Sequence, residues 1–148
     1  MPIPYWAGHY IGAPFKERGR DIKGLDCWGL VRLILMEQFD IYPPSYTTSY
    51  ASSVNEKQLG PLVRRETLNW QHIRPNDEQC GDVVVLRMRG EPMHVGLVLG
   101  DKTMIHIERG INSVLENYNT LRWKKRVVGF FRYKTMPDDK KVKTKDAY

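Results

Sequence analysis

Long apolar runs are missing from this sequence. No segment approaches the ~20 residues needed to cross a bilayer, and Met1-Pro2-Ile3-Pro4 lacks the basic region and apolar core of a secretion signal. A chain made and folded in a cytoplasm, without membrane insertion, is the expectation. Cysteine is scarce: two in 148 residues, Cys27 and Cys80. A cytosolic chain of this size needs no disulfide, and both are read as thiols. There is no short Cys-x-x-Cys or His-x-x-x-His pair of the kind zinc sites use. Basic clusters interleaved with aromatics are also absent. The net charge is +6, but Arg64-Arg65 and Lys124-Lys125-Arg126 stand alone, which favours a solvated face over a nucleic-acid platform. No internal repeat is visible.

What is present is enough for one domain with a real core. The 41% hydrophobic and 27% charged content is ordinary for a globular protein. The lysine- and aspartate-rich segment from Lys134 to Tyr148 reads as a disordered tail, leaving residues 1–133 as the domain. Pro2 to Arg20, rich in proline, glycine and aromatics, is expected to wrap the domain without a long helix. From Cys27 to Phe39, Leu30, Val31, Ile34, Leu35 and Phe39 recur at helical steps, with Asp26 as the cap and an end near Asp40. After Ser52 or Ser53 a second helical stretch carries Leu59, Leu62, Val63 and Leu68, and Gly60-Pro61 predicts that it splits into two short helices. From Cys80 onward the pattern changes to strands at 82–88, 93–99, 103–107, 113–118 and 127–133, separated by good turn sequences, with a short helical turn near Asn119 or Thr120. The fold class is α+β, with N-terminal helices packed on one face of an antiparallel β-meander.

Three residues stand out chemically. A thiol at a helix N-terminus lies near unpaired N–H groups and the positive end of the helix dipole, which favours thiolate. Cys27 occupies that position, although a lone cysteine on an apolar helix is also ordinary inert core. His94 and His106 lie in successive strands. With a turn around Gly100-Asp101, residues whose numbers sum to 200 or 201 face each other, so the two imidazoles are expected on one face of the sheet. If the Cys27 helix packs on that face, a thiol, a base and an orienting group converge. The alternative is a metal site with a carboxylate such as Glu108 as a further ligand; without short ligand pairs, no metal is the preferred reading. His9 and His72 are read as surface residues. Asp82 is read as a local hydrogen-bonding residue at a turn, and Cys80, Trp6, Trp70 and Trp123 as packing.

Taken together, Gly24-x-Asp26-Cys27-x-Gly29-Leu30-Val31, Gly81-Asp82-Val83-Val84, and His94-Val95-Gly96-Leu97-Val98-Leu99-Gly100 with His106 resemble the NlpC/P60 family of papain-like cysteine peptidases. Ile11-Gly12-Ala13-Pro14-Phe15 with Gly19 extends the resemblance upstream, so that it covers roughly Tyr10 to Tyr133. It implies Cys27 as nucleophile, His94 as general base, His106 as the residue orienting it, the Cys27 N–H at the oxyanion, and no cofactor. It further implies Phe15, Asp26 and Trp28 as substrate-binding residues. Phe15 stands where the family often has tyrosine, and Trp28 where it often has serine. The implied function is hydrolysis of peptide bonds in peptidoglycan stem peptides. The compact domain and the His106-Ile-Glu-Arg-Gly110 run look most like the family's phage-tail branch, which implies tail proteins as partners and incorporation in the tail. A catalytically idle tail-assembly protein using the same fold for interaction is the alternative.

Overall fold

The computed structural model describes residues 2–48, 56–88 and 91–134; the expected tail beyond Lys134, the start of the second helix and the Arg89-Gly90 part of a predicted turn lie outside them. A 3-10 helix (Tyr5–Tyr10) leads to two short antiparallel strands, β1 (Arg20–Asp21) and β2 (Gly24–Leu25), and then to α1 (Cys27–Phe39) and α2 (Glu56–Glu66). Six strands follow: β3 (Trp70–Ile73), β4 (Val83–Met88), β5 (Glu91–Gly100), β6 (Thr103–Glu108), β7 (Ile111–Asn117) and β8 (Val127–Tyr133). They form one antiparallel sheet in the order β3-β8-β4-β5-β6-β7. The meander therefore covers β4 to β7, and β8 returns to lie between β3 and β4. No described helix is long and apolar enough to cross a membrane.

α1 forms where its periodicity and cap predict. Asp26 accepts the Gly29 N–H at 2.8 Å, and Asp40 ends the helix in the left-handed region at φ 59°. Its burial is not confined to one stripe: Cys27, Trp28, Gly29, Leu30, Val31, Leu33, Ile34, Leu35 and Phe39 are all buried. The N-terminal wrap supplies the second cover. Ala7, Tyr10 and Ala13 join the same core, Trp6 meets Tyr10 and Phe39 edge-on with ring centroids 6.0 Å apart, and Tyr10 Oη donates to Glu37 at 2.7 Å.

Three expectations need correction. α2 runs through Pro61 instead of splitting there. The helix lacks one N–H donor, but beyond the proline it is anchored by buried Leu62 and by Glu66, whose carboxylate accepts from Tyr46 Oη at 2.6 Å and from Tyr133 Oη. Leu68 does not belong to the buried stripe; it is 74% exposed in a 3-10 turn after α2. The sheet also has an edge strand, β3, that was not predicted. In Trp70-Gln71-His72-Ile73 the buried residues are the first and last, so the period of two that marks a strand is missing.

The sheet separates two cores. On the α1 side, Val83, Val85, Val95, Leu97, Leu99, Ile105 and Ile107 pack with the helix. On the other, Ile73, Val84, Leu86, Val98, Met104, Tyr118 and Phe130 pack around Trp123, which the segment between β7 and β8 lays over the sheet. At the edge of β4, Asp82 accepts Gln79 N–H and binds Arg132 through both carboxylate oxygens at 2.7 and 2.9 Å. The predicted turn aspartate thus also ties β4 to β8.

Candidate active site

The β5–β6 hairpin turns on Asp101 and Lys102, both left-handed (φ 51° and 59°), one residue later than predicted. Gly100 pairs with Thr103, a shift in register follows, and Val98 and Leu97 pair with Met104 and Ile105. Paired residues therefore sum to 202, which puts Glu108, not His106, level with His94. Because the shift from the predicted sum of 200 is two, the faces are preserved, and the histidines are diagonal neighbours on one face. Gly96 makes room between them: a side chain there would meet Met104 Sδ at 3.1 Å and His106 Cβ at 3.3 Å.

The imidazoles touch. His94 Nε2 lies 2.9 Å from His106 Nδ1, and the rings are edge to face. His106 Nε2 in turn lies 2.6 Å from Glu116 Oε2 on β7. Trp123 completes the group: its ring stacks on His94 at 5.8 Å, meets His106 edge-on at 5.2 Å, and donates its indole N–H to Glu116 Oε1 at 3.0 Å. Arg122 lies over the outer side of that indole, 4.5 Å from its centroid, and pairs with Glu108 at 3.1 Å. His94 is 5% exposed and His106 0%.

The helix does not pack on the histidine face. α1 covers the face that bears Val95 and Leu97, while the imidazoles point to the Trp123 side. Cys27 belongs to the α1-side core and meets the backbone of β5 beside His94. The β5–β6 ladder ends at Leu97↔Ile105, and the sulfur receives the backbone N–H of Val95, the residue after His94, as well as that of Trp28. Among the described residues no hydrogen bond links the thiol to His94 itself. The structure thus brings His94 and His106 together and sets Cys27 one residue away from His94 along β5.

Asp26, Trp28 and Phe15 surround the turn that carries Cys27. Asp26 is buried, and its oxygens are taken by Gly29 N–H, Arg18 N–H and the Arg20 guanidinium at 2.8 Å. Trp28 is buried, its indole N–H on Pro44 O at 2.9 Å and its ring between Tyr46 and Trp70. As placed, both hold the start of α1. Half-buried Phe15 lies under the Arg109 guanidinium, 5.7 Å from the ring centroid, and Arg109 pairs with Glu17. Gly29 is required here, because a β-carbon would fall 2.0 Å from the Gly19 carbonyl oxygen.

Electrostatics favour neutral forms. Burial, aided by the Asp26 carboxylate, pushes the Cys27 thiol up to about 12 against the opposing Val95 N–H, Arg20 and Trp28 N–H. Here burial outweighs the helix N-terminus that was expected to favour thiolate. Burial, with the His106 and Arg122 charges, pushes His94 down to about 3. Glu116 is held below the ordinary carboxylate range. Burial acts to raise it, but the Trp123 N–H, the His106 hydrogen bond and the His106 and Arg122 charges outweigh that effect. A metal reading suits the cluster less well, although His94, His106 and Glu108 offer ligand atoms within 4.8 Å of one another. Two imidazole nitrogens 2.9 Å apart share a proton, which leaves no pair of lone pairs for an ion, and Glu108 is engaged by Arg122.

Glu116 and Trp123 are the members that sequence reading missed or undervalued. Glu116 was legible only as a charge inside a predicted strand, in-face and diagonal to His106, whose direct partner is Val114.

An α+β domain with a helix-borne cysteine set against an antiparallel sheet is the papain-like class that the motifs implied. The particular family follows from comparison: NlpC/P60 matches residues 12–132, and the chain belongs to that family. It is 27% identical over 115 residues to the murein DD-endopeptidase MepS/murein LD-carboxypeptidase of Escherichia coli K12, covering 78% of this chain and 53% of that protein. It is 24% identical over 118 residues to a probable endopeptidase of Haemophilus influenzae, covering 78% of this chain and 63% of the relative. The structure of an NlpC/P60 family protein from Bacillus cereus ATCC 10987 shares the fold with a TM-score of 0.62 at 21% identity, covering 92% of this chain and 42% of that one. The chain spans about half the length of its Escherichia coli relative.

Proposed function

We propose that the protein is a cysteine peptidase or amidase that cuts a peptide bond in peptidoglycan stem peptides, with Cys27 as nucleophile and His94 as base. The observation that carries this reading is the string of groups ending beside the thiol: Glu116, His106 and His94 in hydrogen-bond contact, and Cys27 on the amide of the residue next to His94. In the resting site the thiol and imidazole are both neutral. On attack, the thiol proton moves to His94 as the sulfur bonds to the amide carbon. A thiolate and an imidazolium formed together offset each other's cost of burial, so the pair forms more readily than either charge alone. The oxyanion lies near the Cys27 N–H, at the first position of α1, where the helix offers no acceptor. The amine then leaves with the proton from His94, and water resolves the thioester to a free acid and a thiol.

The names of the relatives support a murein substrate. A setting in a phage tail, with tail proteins as partners, rests on the sequence resemblance alone, and finding the chain in purified particles is its test. The idle tail-assembly reading has one observation on its side: Cys27 is buried and neutral. Incubation of purified peptidoglycan with the wild type and with Cys27→Ala decides between them. Release of muropeptides only by the wild type supports hydrolysis, and no release by either supports the idle domain.

A further inference from the structure

We propose that Glu116 is the positioning carboxylate of this site, fixing the tautomers of both histidines in turn. Its role in turnover rests on the hydrolase reading above; its effect on the tautomers does not. An ionised carboxylate only accepts, so at 2.6 Å it requires the proton of His106 on Nε2. The bare Nδ1 of His106 then accepts from His94 Nε2–H at 2.9 Å. His94 is left with a bare Nδ1, the lone pair a base needs. When His94 takes the thiol proton there, its Nε2–H remains donated to His106, and the new positive charge faces Glu116 through one imidazole.

Trp123 makes the arrangement single-valued. Its indole N–H occupies Glu116 Oε1 at 3.0 Å, so Oε2 is the oxygen presented to His106. The same ring is fully buried and stacked on His94, which fixes the plane of the base. The strand register supplies the spacing: Met104 pairs with Glu116 and His106 with Val114, so both Glu116 and His106 project to the Trp123 side from adjacent strands.

Glu116→Gln is nearly isosteric and tests the chain of protons directly. The indole N–H claims the new carbonyl oxygen, which turns the amide NH2 towards His106 Nε2. His106 must then accept at Nε2 and donate from Nδ1, and His94 must carry its proton on Nδ1, the wrong nitrogen for a base. The readout is the 15N chemical shift of each ring nitrogen in histidine-labelled protein, beside muropeptide release. The wild type is expected to show Nε2–H on both residues. Glu116→Gln should exchange the Nδ1 and Nε2 shifts of both and lower kcat/KM by roughly 10²-fold or more, as a wrong-tautomer base does. Glu116→Asp, which keeps the charge, should keep the wild-type tautomers. Nδ1–H on either wild-type histidine overturns the proposal without any variant being made. Unchanged shifts in Glu116→Gln, or changed shifts with full turnover, also overturn it. No muropeptide release by the wild type overturns the hydrolase reading instead, and full turnover in Cys27→Ala its cysteine nucleophile; both leave the tautomer result standing.

Discussion

The two faces of the sheet carry different chemistry. On the α1 face the core side chains are aliphatic and aromatic, joined by two thiols, Cys27 and Cys80, whose ionisation burial opposes. On the opposite face an apolar patch surrounds a connected polar string of two imidazoles, a carboxylate and an indole N–H, edged by Arg122. In the proposed mechanism the apolar face supplies the nucleophile and holds it neutral, and the polar face supplies a base whose tautomer and plane are set before substrate arrives. They meet where β5 and β6 cease to pair. A buried cysteine is compatible with catalysis on that mechanism, because its proton acceptor comes from the other side of the sheet.

The largest expected effect breaks the nucleophile alone. Cys27→Ala should lower muropeptide release by on the order of 10³-fold or more, with near-unchanged circular dichroism; comparable release from the variant would remove Cys27 from the chemistry. Next, Ile34→Ala on the apolar face should cost about 3 kcal/mol of stability in denaturant unfolding, as a fully buried aliphatic truncation. Its histidine 15N shifts should stay as in the wild type, and a change in them would show that the two faces are coupled. Trp123→Phe should cost less, about 1–2 kcal/mol, by leaving the Glu116 oxygen without its indole donor, yet it should move those shifts.

Two pH experiments sharpen the comparison further. In the unfolded chain His94 takes a proton below about 6.5, whereas in the fold burial and the His106 and Arg122 charges hold it neutral down to about 3. Its contribution to stability is therefore full above 6.5 and is lost as pH falls towards 3. The Tm of the wild type should drop through that window, and His94→Gln should drop less steeply; equal slopes would show that His94 ionises freely in the fold. The smallest effect lies in resting reactivity. With its thiol pushed up to about 12, Cys27 should be alkylated by iodoacetamide at pH 8 roughly 10²-fold more slowly in the folded protein than in denaturant. Equal rates would mean an exposed or ionised thiol.

Much of this was legible in the sequence where one physical signal dominates. Helical spacing with an aspartate cap located α1, and β-rich runs bounded by turn residues located β4 to β8. The even separation of His94 and His106 allowed one face, and the register decides it: the observed sum of 202 keeps the face that a sum of 200 gives, whereas 201 would have reversed it. What was hidden depends on partners distant in the chain. The Arg20 that occupies Asp26 was read only as the end of a loop. β3 is a strand because β8 offers it an edge, not because its own residues alternate. α2 continues past Pro61 because Tyr46 and Tyr133 hold its far end. Glu116 gains its role from the register of two strands, which local periodicity does not reveal.

The two-residue turn at Asp101-Lys102 has a consequence for how this chain can change over time. Exposed loop tips usually accept insertions and deletions freely, and this tip lies at the far end of the hairpin from His94. Side chains alternate along β6, so a one-residue slip of the ladder itself would bring His106 to the α1 side and put Ile105 or Ile107 in its place. The irregularity between Val98 and Gly100 already absorbs one residue beside the turn. A change in length at this tip is thus harmless to the imidazole only where the loop or that bulge takes it up before the ladder begins.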